Sequence, residues 1–196
     1  MKATGADLTG GTTTGESIPP VAELIEMHLA ELSFLFNALD HSPLPERDLD
    51  PKAEEFIVTW AREARGDKAL ALQVYVDRYG TIEDPMVVPS AVHEFFAQRS
   101  LNARRRLGQL FRVGRTSLLI GLAFLAVAVT LAGIVESALR GGGVSTLIQE
   151  SVVIGGWVAM WRPLEIFLYD WWPIRAERKL FDRLSAMPVR ITSKTL

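Results

Sequence analysis

The chain of 196 residues contains no cysteine, which excludes disulfides, thiolate zinc sites and cysteine nucleophiles together. Its three histidines, His28, His41 and His93, stand far apart and form no cluster. No nucleophile lies beside a base. Gly141-Gly142-Gly143 lacks the lysine of a phosphate-cradling loop. An enzyme is therefore the weakest class, and no cofactor or metal is expected. The opening MKATGADLTGGTTTG lacks the basic start and apolar centre of a secretory signal, and nearly lacks side chains large enough to bury. Residues 1–18 read as a disordered tail on a cytosolic N-terminus.

One further absence is more informative. Thr116 to Val135 is a run of twenty residues with no charge, and the stretch before it, from Arg99, holds no acid. Twenty apolar residues in a helix span the roughly 30 Å hydrocarbon core, and flanking arginine marks the cytosolic side. The net charge of −2 hides a strong asymmetry. Residues 1–98 carry 17 acidic and 7 basic side chains, whereas 99–115 carry six arginines and no acid. From Pro173 onward there are six basic and two acidic residues. Arg104, Arg105, Arg106, Arg112, Arg115, Arg175, Arg178 and Lys179 are the expected contacts to anionic lipid headgroups, each attracted by about 1 kcal/mol near the surface. Their position against a membrane span explains them without nucleic acid.

Val21, Leu24, Ile25, His28, Leu29, Leu32, Leu35, Phe36 and Leu39 recur at three and four residues and predict a first helix, ended by His41-Ser-Pro-Leu-Pro. A second begins with Asp50 as cap and Pro51 at its first position, and is expected to bury Phe56, Ile57 and Trp60. The Asp48-Leu-Asp50 triplet resembles the metal site of sugar-nucleotide transferases, but capping already accounts for Asp50. Leu70, Leu72, Val74 and Val76 alternate with Ala71, Gln73, Tyr75 and Asp77 as in a half-buried strand, with Val189 to Thr192 its expected companion. A long third helix is predicted from Ser90 or Ala91, unbroken before Gly114, through the first span.

The second span has two placements. A return helix matched in length to the first covers about Val144 to Pro163, which puts Arg162 near the headgroups and lays Leu164 to Ile174 along the interface. If it ends at the two tryptophans instead, Arg162 and Glu165 lie roughly 14 and 9 Å inside the aromatic belt of Tyr169, Trp171 and Trp172. Length favours the first. In both, Arg162 and Glu165 are three apart and able to pair, Pro163 removes a backbone bond to Ala159, and Glu150 has no cation within a turn. Glu150, Trp161, Arg162, Pro163, Glu165 and Asp170 are the candidate functional residues. Gly155-Gly156, Gly121 and Gly133 permit close helix approach, so a homo-oligomer is possible.

The expected fold class is a mainly α membrane protein. It comprises a two-helix transmembrane hairpin and a small cytosolic α+β domain with a minimal sheet from about 69–77 and 188–192. The boundaries are a tail at 1–18, a cytosolic domain at 19–98 and a basic juxtamembrane helix at 99–115. The first span covers 116–139, an external turn 140–143, the second span with its Trp-rich end 144–172, and a basic tail rejoining the domain 173–196.

Leu35-Phe-Asn-Ala-Leu-Asp-His-Ser-Pro-Leu-Pro-Glu-Arg-Asp-Leu-Asp50, Gly114-Arg-Thr-Ser-Leu-Leu-Ile-Gly121 and Gly156-Trp-Val-Ala-Met-Trp-Arg-Pro-Leu-Glu-Ile-Phe-Leu-Tyr-Asp-Trp-Trp-Pro-Ile174 resemble an uncharacterised family of bacterial two-span membrane proteins. The likeness covers about Val21 to Ile191. It implies a bacterial inner-membrane location with both termini cytosolic, and transfers no activity. Trp161-Arg162-Pro163-Leu164-Glu165 also resembles the Trp-Asp-x-x-Glu motif of calcium uniporters. Arg162 nevertheless puts a cation where the acidic ring belongs, and would repel divalent ions. Three function classes follow: a membrane-anchored scaffold binding a protein partner, a subunit of a small oligomeric channel or transporter, and an interfacial lipid-headgroup enzyme using Glu165, Tyr169 and Asp170.

Overall fold

The computed structural model describes residues 12–64, 68–80, 82, 84–139 and 143–193. The chain divides into two compact units: Met1–Leu101 with Glu177–Leu196, and Asn102–Ala176. The chain is mainly helical with one small sheet, and two helical stretches, Pro85–Ile134 and Glu150–Leu184, are long and apolar enough to cross a membrane.

The first unit is built on a four-stranded sheet in the order β1-β4-β3-β2, from β1 (Thr12–Gly15), β2 (Glu23–Glu31), β3 (Leu70–Arg78) and β4 (Val189–Ser193). β3 pairs in parallel with both β2 and β4, and β1 adds antiparallel to β4. The expected β3–β4 pairing is present, with Leu72 opposite Val189 and Val74 opposite Ile191. Parallel strands need crossovers. α1 (Pro51–Glu63) lies on the connection from β2 to β3, and the whole long helical region separates β3 from β4.

Two expectations are corrected here. Residues 23–31 form a strand rather than a helix. Ile25 and Met27 are buried while Leu24, Glu26, His28 and Ala30 are exposed, the period-two pattern of a half-buried strand. The apparent helical spacing arose because the strand runs straight into a 3₁₀ turn at Leu32–Leu35, where Leu32 and Leu35 are fully buried. Residues 12–15, expected within the disordered tail, form the edge strand β1. Gly15, at φ 114°, brings the chain so close to β4 that a Cβ would lie 2.6 Å from the Val189 carbonyl. Glu16 continues the join: its N–H donates to the Val189 carbonyl at 2.9 Å, and its Oε2 accepts from the Val189 N–H at 3.0 Å.

α1 starts as expected, with the Asp50 carboxylate accepting from the Lys52 N–H at 2.9 Å and Pro51 at its first position. Its buried stripe is Ala53, Ile57, Val58 and Ala61. Phe56 and Trp60, expected inside, are 37% and 50% exposed, because they lie about 100° around the helix from Ile57 and Ala61. The core is completed by Phe96 near the start of α2 (Val88–Leu139) and by Phe181 and Leu184 near the end of α4 (Trp171–Leu184). The Phe96 and Phe181 rings stack at 6.3 Å between centroids.

In the second unit, α2 continues unbroken through Gly114, as predicted. It is followed by α3 (Gly143–Glu165), a π-helical turn (Ile166–Asp170) and the beginning of α4. Most of the expected external turn, 140–143, lies outside the described residues.

Candidate functional site: a charged, π-bulged return limb

Sheltered positions on α2 recur at Leu107, Phe111, Gly114, Leu118, Gly121, Leu125, Ala128 and Ala132, in alternating steps of four and three. That spacing is the seam of two supercoiled helices. On the return limb, Val152, Gly156, Ala159, Pro163 and Ile166 carry the matching steps. Three close approaches set the antiparallel register. A Cβ at Gly114 would meet Ile166 Cγ2 at 2.8 Å, one at Gly121 would meet Met160 Sδ at 3.2 Å and the Ala159 carbonyl at 3.3 Å, and one at Gly156 would meet Leu125 Cδ1 at 2.5 Å. Phe111 and Phe167 stack at 6.2 Å in the same alignment. Small residues thus let the helices close on each other. Gly133 and Gly155, expected to do the same, face open space.

Pro163 is buried in this seam. It has no N–H for the Ala159 carbonyl, and that oxygen lies against Gly121, where the absence of a side chain leaves room for it. The return helix then widens into its π turn within one turn of Pro163. The widening has a chemical consequence. Residues eight apart in a regular α-helix differ in direction by about 80°, and absorbing one extra residue in a π turn brings them to about 20°, nearly one face. Arg162 consequently reaches two carboxylates, with Nη1 2.9 Å from Glu165 Oε2 and 3.6 Å from Asp170 Oδ2. The Arg162–Glu165 pairing was legible from the three-residue spacing. The addition of Asp170 was not, because its direction depends on the π turn.

The triad carries one positive and two negative formal charges and is partly open: the Arg162 side chain is 61% exposed and Asp170 30%. Aromatic groups surround it in sequence. Trp161, Tyr169 and Trp172 are exposed. Trp171 packs edge-to-face on Trp172 at 5.7 Å, donates its indole N–H to the Phe167 carbonyl at 2.9 Å, and holds the Arg175 guanidinium 5.5 Å from its ring centre. Arg104, Arg105, Arg106, Arg112 and Arg115 are all exposed on α2. Arg178 is paired with Asp182 at 3.5 Å, and Lys179 is exposed. Glu150 is exposed on α3 and has no ion pair among the described residues.

The first unit holds a feature the sequence reading missed. The loop from Phe36 to Asp50 is closed by Asn37 N–H to the Asp48 carbonyl and Asp50 N–H to the Leu35 carbonyl, both at 2.9 Å. At its centre the Asp40 carboxylate accepts from the N–H of Asp48 at 2.8 Å and of Ser42 at 3.0 Å. The Asp48 N–H, followed by the Ser42 hydroxyl and N–H, holds the Asp40 carboxyl down to about 2. Between this loop, β2 and α1 lies an open groove of about 750 Å³ whose apolar lining includes Met27, Leu29, Phe34, Phe36 and Phe56. Asp48 itself is exposed, Asp50 is engaged in capping, and no group of acidic or histidine side chains suited to a metal occurs among the described residues.

Compared with family models, curated proteins and solved structures, the chain matches none.

Proposed function

We propose that this chain is a two-span protein of a bacterial inner membrane that anchors an acidic interaction domain at the cytosolic face, with both termini in the cytosol. It would thus be of the uncharacterised two-span type that its Trp-rich segment resembles. The observation carrying this reading is the hairpin register. Gly114 beside Ile166 and Gly121 beside Ala159 set residue numbers that sum to about 280 level with each other. The uncharged run 116–135 therefore stands against about 145–164, and Arg115 comes level with Glu165. Both limbs turn from apolar to charged within about one helical turn of the same height, with Glu165 level with Arg115 and Arg162 level with Leu118, as helices ending near one membrane surface do. This supports the placement of Arg162, Glu165 and Asp170 at the headgroups, where the arginine collar binds anionic lipid and the tryptophans form a belt.

The chain's lack of cysteine makes the test clean. A membrane-impermeant maleimide should label a single cysteine at Gly142 only from the periplasmic side, and one at Ala38 only from the cytosolic side; the reverse pattern, or labelling of both from one side, removes the topology. A second reading, a subunit of a small oligomeric channel, is favoured by Glu150, exposed on α3 without an ion pair among the described residues. Liposome ion flux that falls on Glu150→Gln would establish it, and flux that is absent or unchanged would remove it.

A further inference from the structure

The first unit ends in an edge strand with little of the protection edges normally carry. β2 is the terminal strand of the sheet, nine residues long, in parallel register with β3 at residues 23–29 and 31, and it contains no proline and no lysine, its charged side chains being Glu23, Glu26 and Glu31. Natural sheets usually blunt such an edge with lysine, proline, a bulge or a cover. The direction of its free groups follows from one bond. Glu23 donates its N–H to the Ala69 carbonyl at 2.8 Å, so in a parallel ladder the odd-numbered residues of β2 bond to β3. The N–H and C=O groups of Leu24, Glu26, His28 and Ala30 therefore point away from the sheet. Among the described residues no strand pairs with that side.

Beside this edge lies the groove described above. Phe34 in its wall is 59% exposed and Phe56 37% exposed. An added strand alternates its side chains between two environments. One set lies beside Met27 and Leu29, toward the apolar groove. The other lies beside Leu24, Glu26, His28 and Ala30, on an exposed face that is acidic through Glu26 and, on β3, Asp77, with His28 also bordering the groove. Residues 1–98 as a whole carry ten more acidic than basic side chains (17 against 7).

We propose that β2 and its groove dock an extended segment of a partner protein by strand addition, and that the segment alternates basic with apolar residues. Backbone pairing with Leu24, Glu26, His28 and Ala30 supplies the general attraction, the groove takes the apolar side chains, and Glu26 selects the basic ones. The proposal rests on the interaction-domain reading above and gives it a recognition mode. It does not depend on the membrane topology, which cysteine labelling tests separately.

The test uses the full chain in an uncharged detergent. Two blocked octapeptides serve as probes, one alternating lysine with valine and one alternating glutamate with valine, followed by fluorescence anisotropy and backbone amide shifts. The lysine peptide should bind at least ten-fold tighter, with shifts concentrated at residues 24–30. Ala30→Pro removes an outward N–H without touching the β3 ladder, and should weaken binding of the lysine peptide several-fold. Glu26→Lys should invert the preference between peptides even if the proline variant misfolds. Equal binding of the two peptides, unchanged preference in Glu26→Lys, or shifts that map away from β2 would overturn the proposal. So would self-association of the free chain that Ala30→Pro abolishes, since the edge would then belong to a second copy.

Discussion

Replacing Gly121 with leucine tests the hairpin seam at its tightest backbone approach. Even a methyl group there would stand 3.2 Å from Met160 Sδ and 3.3 Å from the Ala159 carbonyl. The carbonyl belongs to a helix backbone and cannot swing aside as a side chain would. Leucine adds three carbons beyond that point, so the helices must separate within the roughly 8–10 Å range over which packed helices are found, by about 1–2 Å. Overpacking of this kind costs about 1–3 kcal/mol. Gly133 is the internal control, because a Cβ there meets nothing within 4 Å. Spin labels on cysteines introduced at Leu122 and Val158, both exposed and level in the register, read the separation directly in the full chain in bilayers. Gly121→Leu should move the distance distribution outward and broaden it, and Gly133→Leu should leave it unchanged. If the two variants behave alike, the register and all levels derived from it are wrong.

Three further outcomes are expected. Ile57→Ala, at a fully buried position of α1, should destabilise the first unit by about 2–5 kcal/mol in denaturant unfolding of the full chain in detergent. Asp50→Ala should cost about 1 kcal/mol by removing the cap on α1, whereas Asp48→Ala, an exposed side chain, should cost much less in the same assay. Asp40 has a folded pKa of about 2 against an ordinary 3.8, so its contribution is whole above about pH 4 and is lost as pH falls toward 2. The difference in unfolding midpoint between Asp40→Asn and the parent chain should therefore be constant near neutrality and shrink across that acid window; a difference that grows there would contradict the sign.

The readable parts of this chain were those in which one local rule acts alone. The long uncharged run, the start of α1 at Asp50-Pro51, the presence of a strand at β3 and the Arg162–Glu165 spacing each appear where expected, although β3, between two neighbours, is buried on both faces from Leu70 to Val74 rather than half-buried. The misreading at 21–39 has a specific cause. A strand with Ile25 and Met27 inside meets a 3₁₀ turn with Leu32 and Leu35 inside, and the joined pattern imitates a helix. The Gly- and Thr-rich start looked unable to order itself because it has little to bury. Its residues 12–15 form β1 through hydrogen bonds to β4, a partner about 180 residues away in sequence.

The same division runs through the whole protein. By itself the sequence determined the two long apolar helices, the arginine collar and the separation of acidic and basic halves, because hydropathy and charge are sums over neighbouring residues. Only the tertiary structure decided which glycines form the seam, that Asp170 joins Arg162 and Glu165, and that β2 presents a free edge beside an aromatic groove. Those facts depend on the direction each side chain and backbone group takes after the chain has paired with distant parts of itself, and a one-residue change in register or one widened helical turn redirects them.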